Sequence, residues 1–153
     1  MDNIALLLKV FFFRDLSPDE LLGIMAISRR ELYGMGEKVF ESGAPGDSFY
    51  IVKKGSVMVK NGPIVLATLG VGDTLGEMTF VDRGERSATV AAIEETELLR
   101  ISCAALDGLF AQQPQMAAKI YRAIATLLSK RLREMDETLR TKYQPMRVQK
   151  QES

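Results

Sequence analysis

The sequence predicts an α+β fold: a small antiparallel β jelly-roll barrel flanked by N-terminal helices and a long C-terminal helix. Three observations carry this expectation. The apolar pattern is helical over residues 4–30 and again from Ser102 to 143. Between them, over 35–101, runs rich in Val, Ile, Phe and Thr are broken by glycine-containing turns about every eight to twelve residues. The chain of 153 residues has length for one well-buried core but hardly two. Residues 1–143 are therefore expected to form one domain, followed by a disordered polar tail over 144–153.

In the N-terminal part, Ser17-Pro18-Asp19-Glu20 reads as a helix start, with Ser17 as N-cap, Pro18 in the first turn and Glu20 closing a capping box. Leu21, Leu22, Met25 and Ile27 then supply an apolar face. The expected strands are Lys38–Phe40, Phe49–Lys53, Ser56–Lys60, Ile64–Leu69, Ser87–Ala92 and Glu97–Ile101. Asn61-Gly62, between two of them, is a hairpin signal. Many short strands joined in this way argue for a jelly roll or small barrel.

Ser102 can cap a short helix through Leu106 and Phe110, and Pro114 can open a second one of roughly 30 residues, about 45 Å long. That length exceeds what a small barrel covers. One stripe, Ile120, Ile124 and Leu127, suits packing on the barrel. Another, Tyr121, Ala125, Leu128, Leu132, Met135 and Leu139, is spaced as a coiled-coil seam. Either the two merge into one buried face or the second joins a homodimer; the reach of Leu132 to Leu139 favours the dimer, through Leu128, Leu132, Met135 and Leu139.

Composition narrows the function. Apolar residues make up 46% and charged residues 26%, and 20 basic residues balance 20 acidic ones, so no overall field draws the chain to nucleic acid or an anionic membrane. With no histidine, imidazole acid–base catalysis is excluded and the usual zinc and haem ligands are missing. The single cysteine, Cys103, fits a reducing cytoplasm and has no evident activating partner, so an enzyme is not expected. The apolar run Val10-Phe11-Phe12-Phe13 is far shorter than the roughly 20 residues of a membrane span. No cofactor or metal is implied.

The segment with chemistry is Leu75-Gly76-Glu77-Met78-Thr79-Phe80-Val81-Asp82-Arg83-Gly84-Glu85-Arg86-Ser87-Ala88-Thr89-Val90. A glycine opening a short helix lets backbone N–H groups approach an anion. Arg86, at the start of the next strand, adds a fixed bidentate cation. Glu77 would repel a phosphate but can accept from a sugar hydroxyl. These parts fit one phosphate attached to a ribose; equally, Arg86 could pair with Glu77, Asp82 or Glu85 at a loop surface.

With Leu16-Ser17-Pro18-Asp19-Glu20-Leu21, Gly43-Ala44-Pro45-Gly46-Asp47-Ser48-Phe49-Tyr50-Ile51-Val52 and Lys54-Gly55-Ser56-Val57 alongside it, this segment resembles the cyclic-nucleotide-binding domain family, shared by kinase regulatory subunits, gated channels and the catabolite activator protein. The resemblance covers nearly the whole chain. It implies that Arg86 pairs with a cyclic phosphate and Glu77 with the ribose 2′-hydroxyl. It also implies that the Gly76 and Met78 backbones face the ligand, that Ser87 bonds the phosphate or a guanine amino group, and that Asp47 steadies Arg86 from behind. Leu75, Leu66 and Val59 should line the base and sugar pocket. On the long helix, Met135 and Asp136 stand where small hydroxyl residues contact adenine in one branch, and either meet the base or are plain seam and surface residues.

The expected function is a cyclic-nucleotide sensor, for cyclic AMP rather than cyclic GMP, signalling to an unidentified protein partner through the long helix. The alternative is a ligand-free dimerisation module that retains the fold. The basic residues Lys130, Arg131, Arg133, Arg140 and Lys142 are interrupted by Glu134, Asp136 and Glu137, so a solvated helix face is expected rather than a DNA contact.

Overall fold

The computed structural model describes residues 2–152, with side chains described outside Met78 and 144–152. Helix α1 (Asn3–Leu8), a 3₁₀ turn (Phe11–Phe13) and α2 (Pro18–Ile27) lead into eight strands. These are β1 (Ser28–Tyr33), β2 (Lys38–Phe40), β3 (Ser48–Lys54), β4 (Val57–Asn61), β5 (Ile64–Leu69), β6 (Thr74–Leu75), β7 (Thr89–Ala92) and β8 (Thr96–Ser102). Helix α3 (Glu77–Asp82) lies between β6 and β7, and α4 (Cys103–Gln112) and α5 (Pro114–Glu152) close the chain. Two antiparallel four-stranded sheets, in the orders β1-β8-β3-β6 and β2-β7-β4-β5, form the jelly roll.

The helix starts behave as their sequences dictate. Ser17 Oγ accepts from the Glu20 N–H at 3.2 Å while the Glu20 carboxylate accepts from the Ser17 N–H at 2.8 Å. The Ser102 hydroxyl caps α4 by accepting from Ala105 N–H at 3.3 Å. The N-terminal part is two short helices rather than continuous helix over 4–30, because Phe12 and Phe13 turn inward at the 3₁₀ turn and are buried.

Strands β1 and β6 escape the sequence pattern. β1 was expected to be helical at 28–30, but it pairs only with β8, as a sheet edge, where charges are tolerated. Its Arg30 pairs with Glu97 and its Glu31 with Arg100. β6 is two residues long and too short to show a period. At the β4–β5 hairpin, Asn61 pairs with Ile64, so the turn residues are Gly62-Pro63 rather than Asn61-Gly62. Gly62 has φ 59°, which favours glycine.

β3 explains the architecture. Side chains alternate across a strand, and both faces of β3 are covered. Phe49 and Ile51 face a core shared with the helices, joined by Leu7, Phe13, Ile24, Phe80, Leu106 and Ile120. Tyr50 and Val52 face the barrel interior with Val57, Leu75, Val90 and Leu98. Burying one such Leu, Val or Phe side chain is worth about 1.5–3 kcal/mol.

α5 has two distinct faces. Met116, Ile120 and Ala123 are fully buried on the domain, whereas Leu132 and Met135 are 66% and 62% exposed, and Leu128 and Leu139 are also exposed. The stripes therefore do not merge into one buried face within a single chain. The α5 backbone runs through 144–152, where a disordered tail was expected: apart from Pro145, nothing in Gln144-Pro145-Met146-Arg147-Val148-Gln149-Lys150-Gln151-Glu152 is a strong helix breaker. Among the described residues no helix is long and apolar enough to cross a membrane.

Glu20 also ties α2 to α5, accepting from Lys119 Nζ at 2.6 Å. Burial pushes its carboxyl up, but the Lys119 ammonium and the Ser17 N–H and hydroxyl outweigh this and hold it below its ordinary value. A depressed carboxyl stabilises the fold above its unfolded-state pKa, and that stability is lost as pH falls through the folded value. Glu20→Gln should therefore lower stability at neutral pH by about 1 kcal/mol, as expected for a cap and a charged hydrogen bond. In urea titrations the deficit should shrink as pH drops below the ordinary glutamate range.

Candidate functional site

The Gly76–Arg86 segment folds as its residues require. Gly76 is the N-cap of α3 with φ 76°, a left-handed conformation natural to glycine. Space forbids a side chain as well, since a Cβ there would overlap Arg86 Nη1. At the other end Arg83 is left-handed too, at φ 58°, and its Nη2 reaches Asp107 of α4 at 2.7 Å. This exposed contact joins the far end of the α3 segment to α4.

Arg86 is 4% exposed. Its backbone is fastened to the 43–45 turn: its N–H donates to Ala44 O at 2.8 Å and its carbonyl accepts from Gly43 N–H at 2.8 Å. Nη2 donates to the Ser48 carbonyl at 2.6 Å, and Nη1 donates to Thr79 Oγ1 at 3.1 Å and Gly76 O at 3.5 Å. The guanidinium carbon lies 4.1 Å from the Phe40 ring centroid and 6.0 Å from that of Tyr50. A desolvated contact of this kind is worth about 2 kcal/mol. Nε is buried and finds no partner among the described residues. Burial pushes the pKa of the guanidinium down, opposed by Tyr50 and Asp47, but a guanidinium stays charged in proteins.

This cation borders a cavity of about 350 Å³, within the range of small-ligand sites. Val59, Leu75, Gly76, Glu77, Arg86 and Ser87 line it together. Buried Leu75 and half-buried Val59 give it an apolar wall, and Ser87 is exposed at the mouth. Met78 lies in α3 beside them, its side chain outside the described residues.

Other expectations need correction. Leu66 is 57% exposed and outside the cavity. Val59 pairs with Ala67 and Lys60 with Val65, so Leu66 is the extra residue of a bulge that turns it outward. Leu69, Phe40 and Val90 provide wall instead. Asp47 does not touch Arg86. Its carboxylate lies 3.4 Å from Arg100 Nη2 and accepts from the Ser48 hydroxyl at 3.2 Å. Met135 and Asp136 lie outside the cavity of their own chain, and Asp136 pairs along the helix with Arg140 at 2.9 Å.

Ser48 and Thr79 are contacts of Arg86 that sequence reasoning missed. Thr79 carried a signal, since a hydroxyl three residues after a helix-opening glycine can bond back to its carbonyl, here at 2.7 Å. Ser48 acts through its main chain, which no side-chain pattern reveals. Cys103 is buried and burial raises its thiol pKa, which suits an inert residue rather than a nucleophile.

The family described as "Cyclic nucleotide-binding domain" matches residues 30–113. The Cyclic AMP receptor protein of Thermus thermophilus is 36% identical over 129 residues, 81% of this chain and 58% of that protein. Glutaminase 2 of Bradyrhizobium diazoefficiens is 34% identical over 119 residues, 77% of this chain but only 19% of that protein. The chain thus spans little more than half of one relative and a fifth of the other. The crystal structure of the N-terminal domain of a transcriptional regulator from Streptomyces coelicolor A3(2) superposes with a TM-score of 0.77 at 27% identity, covering 88% of this chain and 94% of that one.

Gly76→Ala adds a side chain where both φ and space exclude it, and should cost about 1–3 kcal/mol of stability. Chemical denaturation would measure the loss, and an unchanged midpoint would contradict the packing of Gly76 against Arg86.

Proposed function

Because this chain belongs to the cyclic nucleotide-binding domain family, we propose that it is a sensor whose Arg86 takes the cyclic phosphate and whose Glu77 takes the ribose 2′-hydroxyl. The observation that carries this reading is a buried guanidinium with an unpartnered Nε at the edge of a nucleotide-sized cavity. Such a group gains most from an anion, because charge-assisted bidentate bonds are strongest where water is excluded. The Gly76 and Met78 backbones face the same phosphate, and Ser87 adds a hydroxyl at the mouth. Leu75, Val59 and Leu69 receive the sugar and base. Cyclic AMP is preferred over cyclic GMP, in line with the name of the Thermus relative.

Ligand capture is passed on mechanically. Phe80 of α3 stacks on Tyr121 of α5 at 5.6 Å and 9° between planes, and meets Phe110 of α4 edge-on at 6.0 Å. A shift of α3, as the phosphate competes for the Arg86 donors, therefore moves α5. That helix dimerises through Leu128, Leu132, Met135 and Leu139 and signals to a protein partner without catalysis of its own. Met135 and Asp136 keep a part in base selection only from the α5 of a second copy.

One observation favours the second reading, a ligand-free dimerisation module: Nη1 and Nη2 of Arg86 are already bonded within the protein. Titration calorimetry separates the two. Cyclic AMP should bind at micromolar concentration or tighter, and Arg86→Ala should weaken binding by about 2–5 kcal/mol, roughly 30-fold to several thousand-fold. No heat with either cyclic AMP or cyclic GMP at high micromolar concentration would leave the module as the answer. Light scattering should show a dimer, lost when Leu132 and Leu139 are changed to Lys; a monomer at all concentrations contradicts the seam.

A further inference from the structure

Ser48 is fully buried and lies between two arginines. Its carbonyl holds Arg86 Nη2 at 2.6 Å, and its hydroxyl accepts from Arg100 Nε at 2.8 Å. The register places Tyr50 opposite Arg100 on β3 and β8, so Ser48, Tyr50 and Arg100 share the barrel-side face. Arg100 spends its remaining nitrogens on two carboxylates, Glu31 from Nη1 at 3.5 Å and Asp47 from Nη2 at 3.4 Å. Asp47 in turn accepts from the same Ser48 hydroxyl, which is therefore held from two directions.

We propose that Arg100 is a positioning residue for the nucleotide site: by clamping the Ser48 hydroxyl and Asp47 it fixes the Ser48 carbonyl, and that carbonyl sets the pose of the Arg86 guanidinium. The inference rests on the ligand reading of Arg86. It assigns to Arg100 the task that the family resemblance implied for Asp47.

Two features make the clamp more than a surface ion pair. The Ser48 bond is short and its acceptor is buried, whereas exposed carboxylate pairs such as Asp47–Arg100 contribute little by themselves. Arg86 has one other firm side-chain partner, the Thr79 hydroxyl, and Thr79 sits on α3, the element expected to move when ligand binds. Ser48 on β3 is thus the stationary contact. Asp47 also lies close enough for its charge to act on both arginines.

The test is a mutant cycle on affinity for cyclic AMP and cyclic GMP, with an arm that needs no nucleotide. Arg100→Leu and Ser48→Ala should each weaken binding about tenfold, the scale of one hydrogen bond to a charged group. The double variant should be no weaker than the single ones, because both break one clamp. Glu31→Gln, which removes the Arg100 pair across β1 and β8 but spares Ser48, should stay within about twofold of wild type, because that pair is long, at 3.5 Å, and does not touch Ser48. Ser48→Ala carries the test alone if Arg100→Leu does not fold. In nucleotide-free protein labelled with nitrogen-15 arginine, the Arg86 Nη2 protons, assigned through Arg86→Ala, should show hindered rotation in wild type and free rotation in both clamp variants.

Losses that multiply in the double variant, or Arg86 signals unmoved by either substitution, overturn the inference. Wild type that binds neither nucleotide while the Arg86 signals still respond sinks the sensor reading and upholds the clamp.

Discussion

A charged guanidinium out of contact with water must be held by acceptors, or its burial costs several kcal/mol. In this chain the acceptors of Arg86 come from three places in the sequence: the Ser48 carbonyl on β3, the Thr79 hydroxyl on α3 and the Gly76 carbonyl at the α3 cap. Phe40 of β2 closes the remaining face. Holding those four residues around one side chain draws both sheets and α3 to a common point. The backbone bonds between Arg86 and the 43–45 turn secure the same point from the main chain. The glycine at 76 is the geometric condition for all of this, since any side chain would occupy the guanidinium's place.

Around that anchor the two cores divide the labour. The barrel-side core supplies apolar wall for the cavity through Leu75 and Val90. The helix-side core carries the aromatic group of Phe12, Phe49, Phe80 and Phe110, and Phe80 also stacks on the exposed Tyr121. Phe80 belongs to the same short helix that presents Glu77 and Thr79. One turn of helix therefore borders the cavity on one side and meets α5 on the other, through the Phe80–Tyr121 stack.

What the sequence made legible was local. The Ser17 and Ser102 caps, the glycine-led α3 and the hairpin between Asn61 and Ile64 are decided by residues within a few positions of one another. The cavity residues Gly76, Glu77, Arg86 and Ser87 were legible for the same reason, as parts of one segment. The errors lie where a partner from elsewhere decides. β1 is a strand because β8 offers it an edge, although Arg29, Arg30 and Glu31 hide its pattern. Leu66 faces outward because of a single-residue bulge, which inverts the alternation on one side of Val59. Asp47 turned to Arg100, fifty-three positions away along the chain, rather than to Arg86. Ser48 contributes a carbonyl, and every residue except for its direction offers the same group.

A sensor of this design requires the cyclic phosphate to compete for the Arg86 guanidinium at this one point. A crystal structure of the chain with cyclic AMP tests that most directly. It should show phosphate oxygens hydrogen-bonded to Arg86, with Nε among the donors, and Glu77 accepting from the ribose 2′-hydroxyl. A nucleotide bound elsewhere, with Arg86 still donating only to Ser48, Thr79 and Gly76, would contradict it.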